Sequence, residues 1–571
     1  MDSAAPMGYG ATRTVERVAA ALGQMGTAPI EFSSARDIPQ GGVLLAVPAL
    51  LAMGLLRHSN EFYALPSGYY ALSSIFLLLA MMALARVKSV EQLRYQTPGE
   101  WGNVLGLDRI PEVRTLRAKL EILCQKAGVA TQWNTELFKE WIGLQPEAEP
   151  MFYVDGHVRV YHGETAQLPR HYVARQKLYQ RATVDYWVNA MHGEPFFYIN
   201  KEIDHGLVQA LEKDLMPWVE AHAPISAEYQ RRMDADPSLP RFTVVFDREG
   251  YSPDLFVQLQ KRRIAVLSYH RYPGEDWRVE EFEEQTVSLG NGETVKVKLA
   301  ERGTQLPNKL WIREVRKLTE SGGQVSIIST HLGLDARALA ASLFARWAQE
   351  NFFRYMRQNY AIDTLVERGD EAISDTEVTV NPAWRTLDHE VRKQNAALKK
   401  ERARFDGVGL TEPLSEAEVT HYQLGQAQQQ EKVEGLQRKL DQLKQKRKET
   451  AHHIKVKDLP EKDRFTRLLP ERKHLIDIIK MICYRAENSM MSIVREKMGR
   501  DDDAHSLLRQ IYNMEVDLVP DLKANTLTVR LHHLAQAAHD DVVRHLCDQL
   551  NETETIFPDT QLKLLFKVGS A

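Results

Sequence analysis

Hydrophobic and polar positions change their period several times along the chain, and each change marks a different kind of element. Residues 62–85 carry no charge, and 75–85 are strongly apolar. Pro66 and Gly68 interrupt the first half of that stretch, so the apolar remainder falls short of the ~20 residues that cross a bilayer. A buried core helix is expected there. Val113, Leu116, Leu120 and Leu123 repeat at helical spacing, with Arg114, Arg117 and Lys119 off the stripe. Behind short pieces broken by Gly and Pro, that pattern suits either a helix-turn-helix that reads DNA or an ordinary amphipathic helix.

From 150 the pattern becomes that of strands. Residues 151–161 predict a strand, a turn and a strand, and 196–199 predict another. Residues 202–233 look helical. The apolar run 242–246 is a buried strand leading into Asp247-Arg-Glu-Gly250, followed by a helix at 253–262 and a strand at 264–269. Strands alternating with helices predict an α/β sheet. A β-rich insertion then breaks the alternation: a hairpin at 286–299 with a Gly290-Asn-Gly292 turn, and strands at 309–313 and 324–329. Residues 334–366 return to helix. Between 386 and 450, Val433, Leu436, Leu440 and Leu443 follow the spacing of a coiled-coil seam, and Leu398 follows Val391 at seven. Gly407, Gly409 and Pro413 divide this segment into two helices, which form either an antiparallel hairpin or a dimer zipper. A helix at 468–491 and a strand at 526–531 complete the pattern.

The expected fold is therefore multidomain α/β. Its parts are a helical N-terminal region (1–94), a helix-turn-helix-like DNA-binding segment (95–147) and a catalytic core (148–375) with the β insertion at about 270–330. A coiled coil (386–450) and a mostly α, α+β C-terminal domain (455–571) follow. A length of 571 residues supports three or four domains. The net charge of −4 gives no global basic signature, so nucleic-acid binding has to come from local patches. Cys124, Cys483 and Cys547 are far apart and odd in number. They form neither a disulfide framework nor a cysteine zinc site, and they suit a reducing, cytoplasmic setting. No charged region precedes the first apolar stretch, so no signal peptide is expected.

Three carboxylates carry the candidate chemistry. Cutting a phosphodiester with divalent metal needs two or three acidic groups gathered at the open edge of a rigid sheet. Asp155 follows the apolar run 152–154, and Asp247 ends the buried strand, where open α/β sheets bind ligands. Taken alone, each is equally a turn-starting or helix-capping Asp. Glu350 lies on a helix in a stripe with Arg346, Arg354 and Arg357, a spacing that also suits a surface ladder of ion pairs. Together, two strand-end Asp and one helix-borne Glu are what a ribonuclease-H-like metal site requires. Residues 156–184 hold Arg159, Arg170, Arg175, Lys177 and Arg181 against Glu164 alone, with Tyr161, Tyr172 and Tyr179 interleaved. That composition suits a track for a DNA backbone.

Four stretches resemble bacterial insertion-sequence transposases of the DDE superfamily, in the branch with a β-strand insertion before the catalytic glutamate. They are Tyr153-Val-Asp-Gly-His157, Val245-Phe-Asp-Arg-Glu-Gly-Tyr251, residues 346–356 around Glu350, and Pro470-Glu-Arg-Lys-His-Leu-Ile-Asp477. Arg346 and Glu350 keep that branch's central spacing, Arg357 takes the place of its Lys, and Leu343 stands where it has a Tyr. The resemblance implies a ribonuclease-H-like core in which Asp155, Asp247 and Glu350 hold two Mg²⁺ or Mn²⁺ ions. It implies endonucleolytic cleavage at transposon ends, followed by attack of the freed 3′-hydroxyl on target DNA. Arg346 and Arg357 would meet phosphates near the cut, and His157 and Arg248 would shape the site. Arg159, Arg175, Arg181, Arg114 and Arg117 are the further DNA-contact candidates. The implied partners are terminal-repeat and target DNA and a second copy of the chain or more, without a membrane and in the nucleoid-bearing cytoplasm. Two alternatives stay open: a nuclease of the same fold that cuts without joining, and a non-catalytic DNA-binding or assembly protein derived from a transposase. The pairs His452-His453 and His532-His533 are expected to be surface or structural residues.

Overall fold

The computed structural model describes residues 13–143, 149–164, 166–201, 203–288, 294–365, 369–374, 376–406, 416–460, 464–498 and 501–569. They fall into two units, one of residues 1–161, 170–368 and 469–571, the other of 162–169 and 369–468.

The first unit is built on a ten-stranded mixed sheet. Its strands are β1 (Met151–Val160), β2 (Arg170–Val173), β3 (Leu178–Asn189), β4 (Pro195–Lys201), β5 (Phe242–Phe246) and β6 (Ile264–Tyr269). The insertion adds β7 (Glu283–Ser288), β8 (Thr294–Gln305), β9 (Trp311–Leu318) and β10 (Gln324–Ser329). The order across the sheet is β2-β3-β1-β5-β6-β10-β9-β8-β7, with β4 also paired to β3. β1, β5 and β6 run parallel, and the other pairings are antiparallel. β5 is buried at every position because both neighbours are parallel strands, which explains its run of apolar residues broken only by Thr243. The insertion therefore extends the main sheet. The Gly290-Asn-Gly292 turn expected there lies outside the described residues.

Two sequence expectations change here. Residues 151–160 are one continuous strand, because β1 pairs with β3 as far as Val160↔Ala182 and leaves no room for a turn at Asp155-Gly156. The basic segment after 170 is a β-hairpin, with β3 itself buried from Ala182 to Asn189.

Five helices bear on the site: α1 (Leu72–Leu84), α2 (Val129–Gly143), α3 (Ala336–Phe344), α4 (Trp347–Tyr360) and α5 (Glu471–Arg495). α1 is buried from Ser74 onward, as a core helix should be. Among the described residues, no helix is long and apolar enough to cross a membrane. α5 runs through the middle of the unit and packs on both α1 and α2. Glu471 at its start accepts the backbone N–H groups of Gly128 and Ala130, at 2.8 and 2.6 Å, and so satisfies the open donors at the start of α2. Strand Ala35–Ile38 pairs with Val516–Asp521 in a four-stranded sheet completed by Thr526–Leu531 and Lys563–Val568. Residues 13–143 and 469–569 thus share one core rather than forming the separate N-terminal, DNA-reading and C-terminal domains expected from the sequence. Their contacts join residues hundreds of positions apart, which no local pattern records.

The second unit is centred on two helices, Pro382–Asp406 and Glu416–Glu449, packed against each other. Val391, Leu398 and Leu440 are buried between them, with Val433, Leu436 and Leu443 alongside. Asp388 meets Arg447 at 2.5 Å and Glu401 meets Lys432 at 3.3 Å, so the start of one helix faces the end of the other. The seam is an antiparallel hairpin within one chain. Its connecting residues Gly407, Gly409 and Pro413 lie outside the described residues.

Candidate active site

Parallel pairing of β1 with β5 aligns Val154 with Phe246, so Asp155 and Asp247 follow side by side at the same sheet edge. Adjacent strands lie ~4.8 Å apart, which makes the two carboxylates near neighbours. One oxygen of Asp155 accepts the Gly156 N–H at 2.9 Å. Asp247 accepts the Glu249 N–H at 2.8 Å and caps the short turn Arg248–Gly250. Gly250 is obligatory in that turn, since a Cβ there would stand 2.4 Å from the Phe246 ring. Burial, and then the charge of Asp247, push the Asp155 carboxyl up to about 7, against the pull of Arg346. The strand ends therefore hold more negative charge than their surroundings neutralise. A hard divalent cation with oxygen ligands fits that excess.

Glu350 comes from α4, and four contacts dock α3 and α4 onto the same strand edge. The Tyr153 hydroxyl donates to the Ser342 carbonyl at 2.7 Å. Buried Gln349 donates to the Tyr153 carbonyl at 2.9 Å. His157, two residues beyond Asp155, stacks on Phe353 with ring centroids 4.9 Å apart, and its Nε2 lies 2.5 Å from Asp363. Gly193, at φ 91°, carries a turn so close to α4 that a Cβ would meet the Ala348 carbonyl at 2.9 Å. The sheet edge and the helix are thereby fixed together before any ligand binds.

Arg346 joins two of the three acids. Its guanidinium donates to Glu350 at 2.6 Å and lies 3.6 Å from Asp155. Through that planar fork the Glu350 and Asp155 carboxylates fall within about 9 Å of each other. The three acids do not all lie within the spacing of ligands on one ion. Among the described residues that spacing is met elsewhere, by Asp37, Asp517 and His532, whose ligand atoms all lie within 4.8 Å of one another. There Asp517 already accepts the Asp37 N–H at 3.1 Å, His532 Nε2 lies 3.2 Å from it, and Arg530 stands 3.8 Å from its second oxygen. That group is already tied together by its own hydrogen bonds. The Arg346–Glu350 pair is the i,i+4 ion pair that helical spacing alone suggests, and here it sits on the carboxylate cluster.

A family model described as "Transposase protein" matches residues 8–570. The chain belongs to this transposase family. No curated protein matches it. Among solved structures, the transposase is similar to a piggyBac transposase synaptic complex with hairpin DNA, seen by cryo-EM, at 9% identity and a TM-score of 0.27. That likeness covers 55% of this chain and 64% of the piggyBac chain, which is less than two thirds of the latter.

The structure puts the arginines expected to contact DNA in different settings. Arg159 is a correction: it is 1% exposed, locked between Asp185 and Asp477, and cannot reach a phosphate. Its place on β1 turns it into the core, and sequence spacing gives no sign of its two acidic partners. Arg175 is bound to Asp363 at 3.0 Å, and Arg117 donates to Glu91 at 2.8 Å, so both charges are already met. Arg114 and Arg181 have no acidic partner among the described residues. Arg357 donates to the Phe353 carbonyl on its own helix. Arg248 stands over the Tyr269 ring, 5.7 Å from its centre. Sequence reasoning missed Gln349 and Tyr153 as the residues that position Glu350. The polar Gln on an otherwise apolar helix face was the available signal.

Proposed function

We propose that this transposase is a metal-dependent DNA transposase whose Asp155, Asp247 and Glu350 hold two Mg²⁺ or Mn²⁺ ions. The observation that carries the reading is the alignment of Asp155 with Asp247 on neighbouring parallel strands, with Glu350 tied to Asp155 through Arg346. The order β4-β3-β1-β5-β6, antiparallel on one side of β1 and parallel on the other, supports a ribonuclease-H-like core. β7–β10 then form the insertion before the glutamate.

Bound ions would supply Lewis-acid activation of a water or a 3′-hydroxyl and neutralise charge on the scissile phosphate. The chain's own residues do the rest. Asp155 and Asp247 are held on directly paired parallel strands, so ligand geometry is set in advance. Arg346 exchanges its hold on Glu350 for a phosphate oxygen when DNA arrives, which frees the glutamate to turn toward the two aspartates. Its five fixed donors suit that exchange better than a lysine would. Arg357, one helical turn behind Arg354, extends the positive edge along the DNA. Cleavage at the element's ends is followed by joining to target DNA without a covalent enzyme intermediate, since alignment and electrostatics are sufficient for phosphoryl transfer. A second copy of the chain would hold the other end.

The test uses a plasmid carrying the gene with its own flanking DNA, incubated with Mg²⁺ or Mn²⁺. Asp155→Asn, Asp247→Asn and Glu350→Gln should each abolish nicking at the element boundaries and joining to a second plasmid. Asp37→Asn and His532→Ala should leave both reactions intact. Nicking that survives all three acid substitutions would overturn the reading, and nicking without joining would reduce it to a nuclease.

A further inference from the structure

The β2–β3 hairpin carries a surface that the carboxylate site does not use. Register pairs Tyr172 with Tyr179 and Arg170 with Arg181 directly across the strands. Alternation along a strand puts all four side chains on one face. The two tyrosine rings lie 5.3 Å apart and remain 49% and 56% exposed. Two like charges directly opposite each other destabilise a hairpin. Neither arginine has an acidic partner among the described residues, so nothing in the described chain offsets that repulsion. Two exposed rings flanked by two unneutralised cations call for a ligand with both flat faces and regularly spaced anions.

We propose that this hairpin face is a stacking platform for an unpaired DNA strand, with bases on Tyr172 and Tyr179 and phosphates on Arg170 and Arg181. The choice of DNA rests on the transposase reading above. A duplex keeps its base faces inside the stack and would use only the arginines, whereas an unpaired strand uses all four residues. The hairpin extends β1 and β3 past the edge where Asp155 and Asp247 sit. Trp187 pairs with Asp155, and Tyr179 lies eight positions back along β3. At ~3.3 Å per residue the rings stand ~26 Å from the carboxylates. A strand engaged at Asp155 would have to run that distance along β3 to reach them. The platform therefore holds DNA that has been opened beside the cut.

The test measures fluorescence anisotropy of the full chain with labelled dT20 and with a labelled 20-base-pair duplex. EDTA is present throughout, so that binding is scored apart from cleavage. Tyr172→Ala/Tyr179→Ala should weaken dT20 binding by about 5- to 150-fold for each base that stacked, and change duplex binding by less than about twofold. Tyr172→Phe/Tyr179→Phe should retain dT20 binding, because the ring face is unchanged. Arg170→Gln/Arg181→Gln should lower the slope of log affinity against log salt on dT20 by about 1.4. Melting curves that match the parent chain show the variants folded. Unchanged dT20 binding in the alanine variant, or equal loss on dT20 and duplex, would overturn the platform. If nicking fails to depend on Asp155 while dT20 binding depends on the tyrosines, the catalytic reading falls and the platform stands.

Discussion

Replacing Arg159 with methionine tests whether its charge works inside the protein or on DNA. The guanidinium is 1% exposed and lies between Asp185 and Asp477, both fully buried. Lys473 also meets Asp477 and donates to the Ile362 carbonyl at 3.0 Å, while burial and then the nearby Arg159 press its amine down to about 7. Methionine fills a similar volume but leaves Asp185 with no cation in contact. Its remaining partner is the Asn200 amide at 2.6 Å. Leaving one buried charge unpaired costs about 3–5 kcal/mol, a large part of the ~5–15 kcal/mol that separates folded from unfolded protein. Urea unfolding followed by tryptophan fluorescence is a suitable assay, because Trp187 lies 5.9 Å from the guanidinium and reports on this region. Adding Asp185→Asn removes the stranded charge, so the double variant should regain more than about 1 kcal/mol of the loss. DNA affinity of the folded single variant should equal that of the parent. A cost below about 1 kcal/mol, or a loss of DNA affinity with stability intact, would refute this account and return Arg159 to the surface role its sequence position suggested.

Other outcomes follow from the same geometry. Glu314 is 2% exposed; burial would raise its carboxyl, but His270, Thr304, Ser326 and Arg316 outweigh that and bring it down to about 2. A lowered pKa means the stabilisation is present above the unfolded value near 4.5 and is lost as pH falls toward 2. Glu314→Gln should remove acid sensitivity of the order of 3 kcal/mol in that window, read by denaturation at stepped pH. Gln349→Leu strands the buried Tyr153 carbonyl and should cost about 1–3 kcal/mol. It should slow nicking at least about tenfold with DNA affinity unchanged, and an unaltered nicking rate would remove Gln349 from the positioning of Glu350. Leu440→Ala opens the seam of the helical hairpin and should cost that unit about 2–5 kcal/mol. Limited proteolysis should then cut within 382–449 while the first unit stays intact.

What the sequence disclosed depended on how local the cause was. β5 and β6 were legible to the residue because strands in the middle of a sheet are covered on both faces, which leaves short, mostly apolar, β-branched runs bounded by polar residues. Asp247 could be placed at a strand end for the same reason. Asp155 was placed on its strand, but at a strand end, because Gly156 imitates a turn and the pairing partner Trp187 lies 32 positions away. β3 was hidden because its first half is a polar hairpin arm and only its second half faces the core. Arg159 was misread because burial of a cation is decided by Asp477, on a helix more than 300 residues later. The division into domains failed on the same ground. Strand Ala35–Ile38 is four residues long and shows no pattern until Val516–Asp521 is beside it.

Glu471 gives one of these long connections a time as well as a distance. It closes the start of α2 across 343 positions of chain. At ~5–20 residues added per second, the open donors of that helix wait about 20–70 s on the ribosome for their acceptor. Within that interval the strands bearing Asp155 and Asp247 are made, while α5, which completes their support, is not. A nascent chain thus carries Asp155 and Asp247 without the helix that backs their strands, and the assembled unit arrives only with the last fifth of the chain. A chain that stopped before α5 would leave the start of α2 without its acceptor and Arg159 without Asp477.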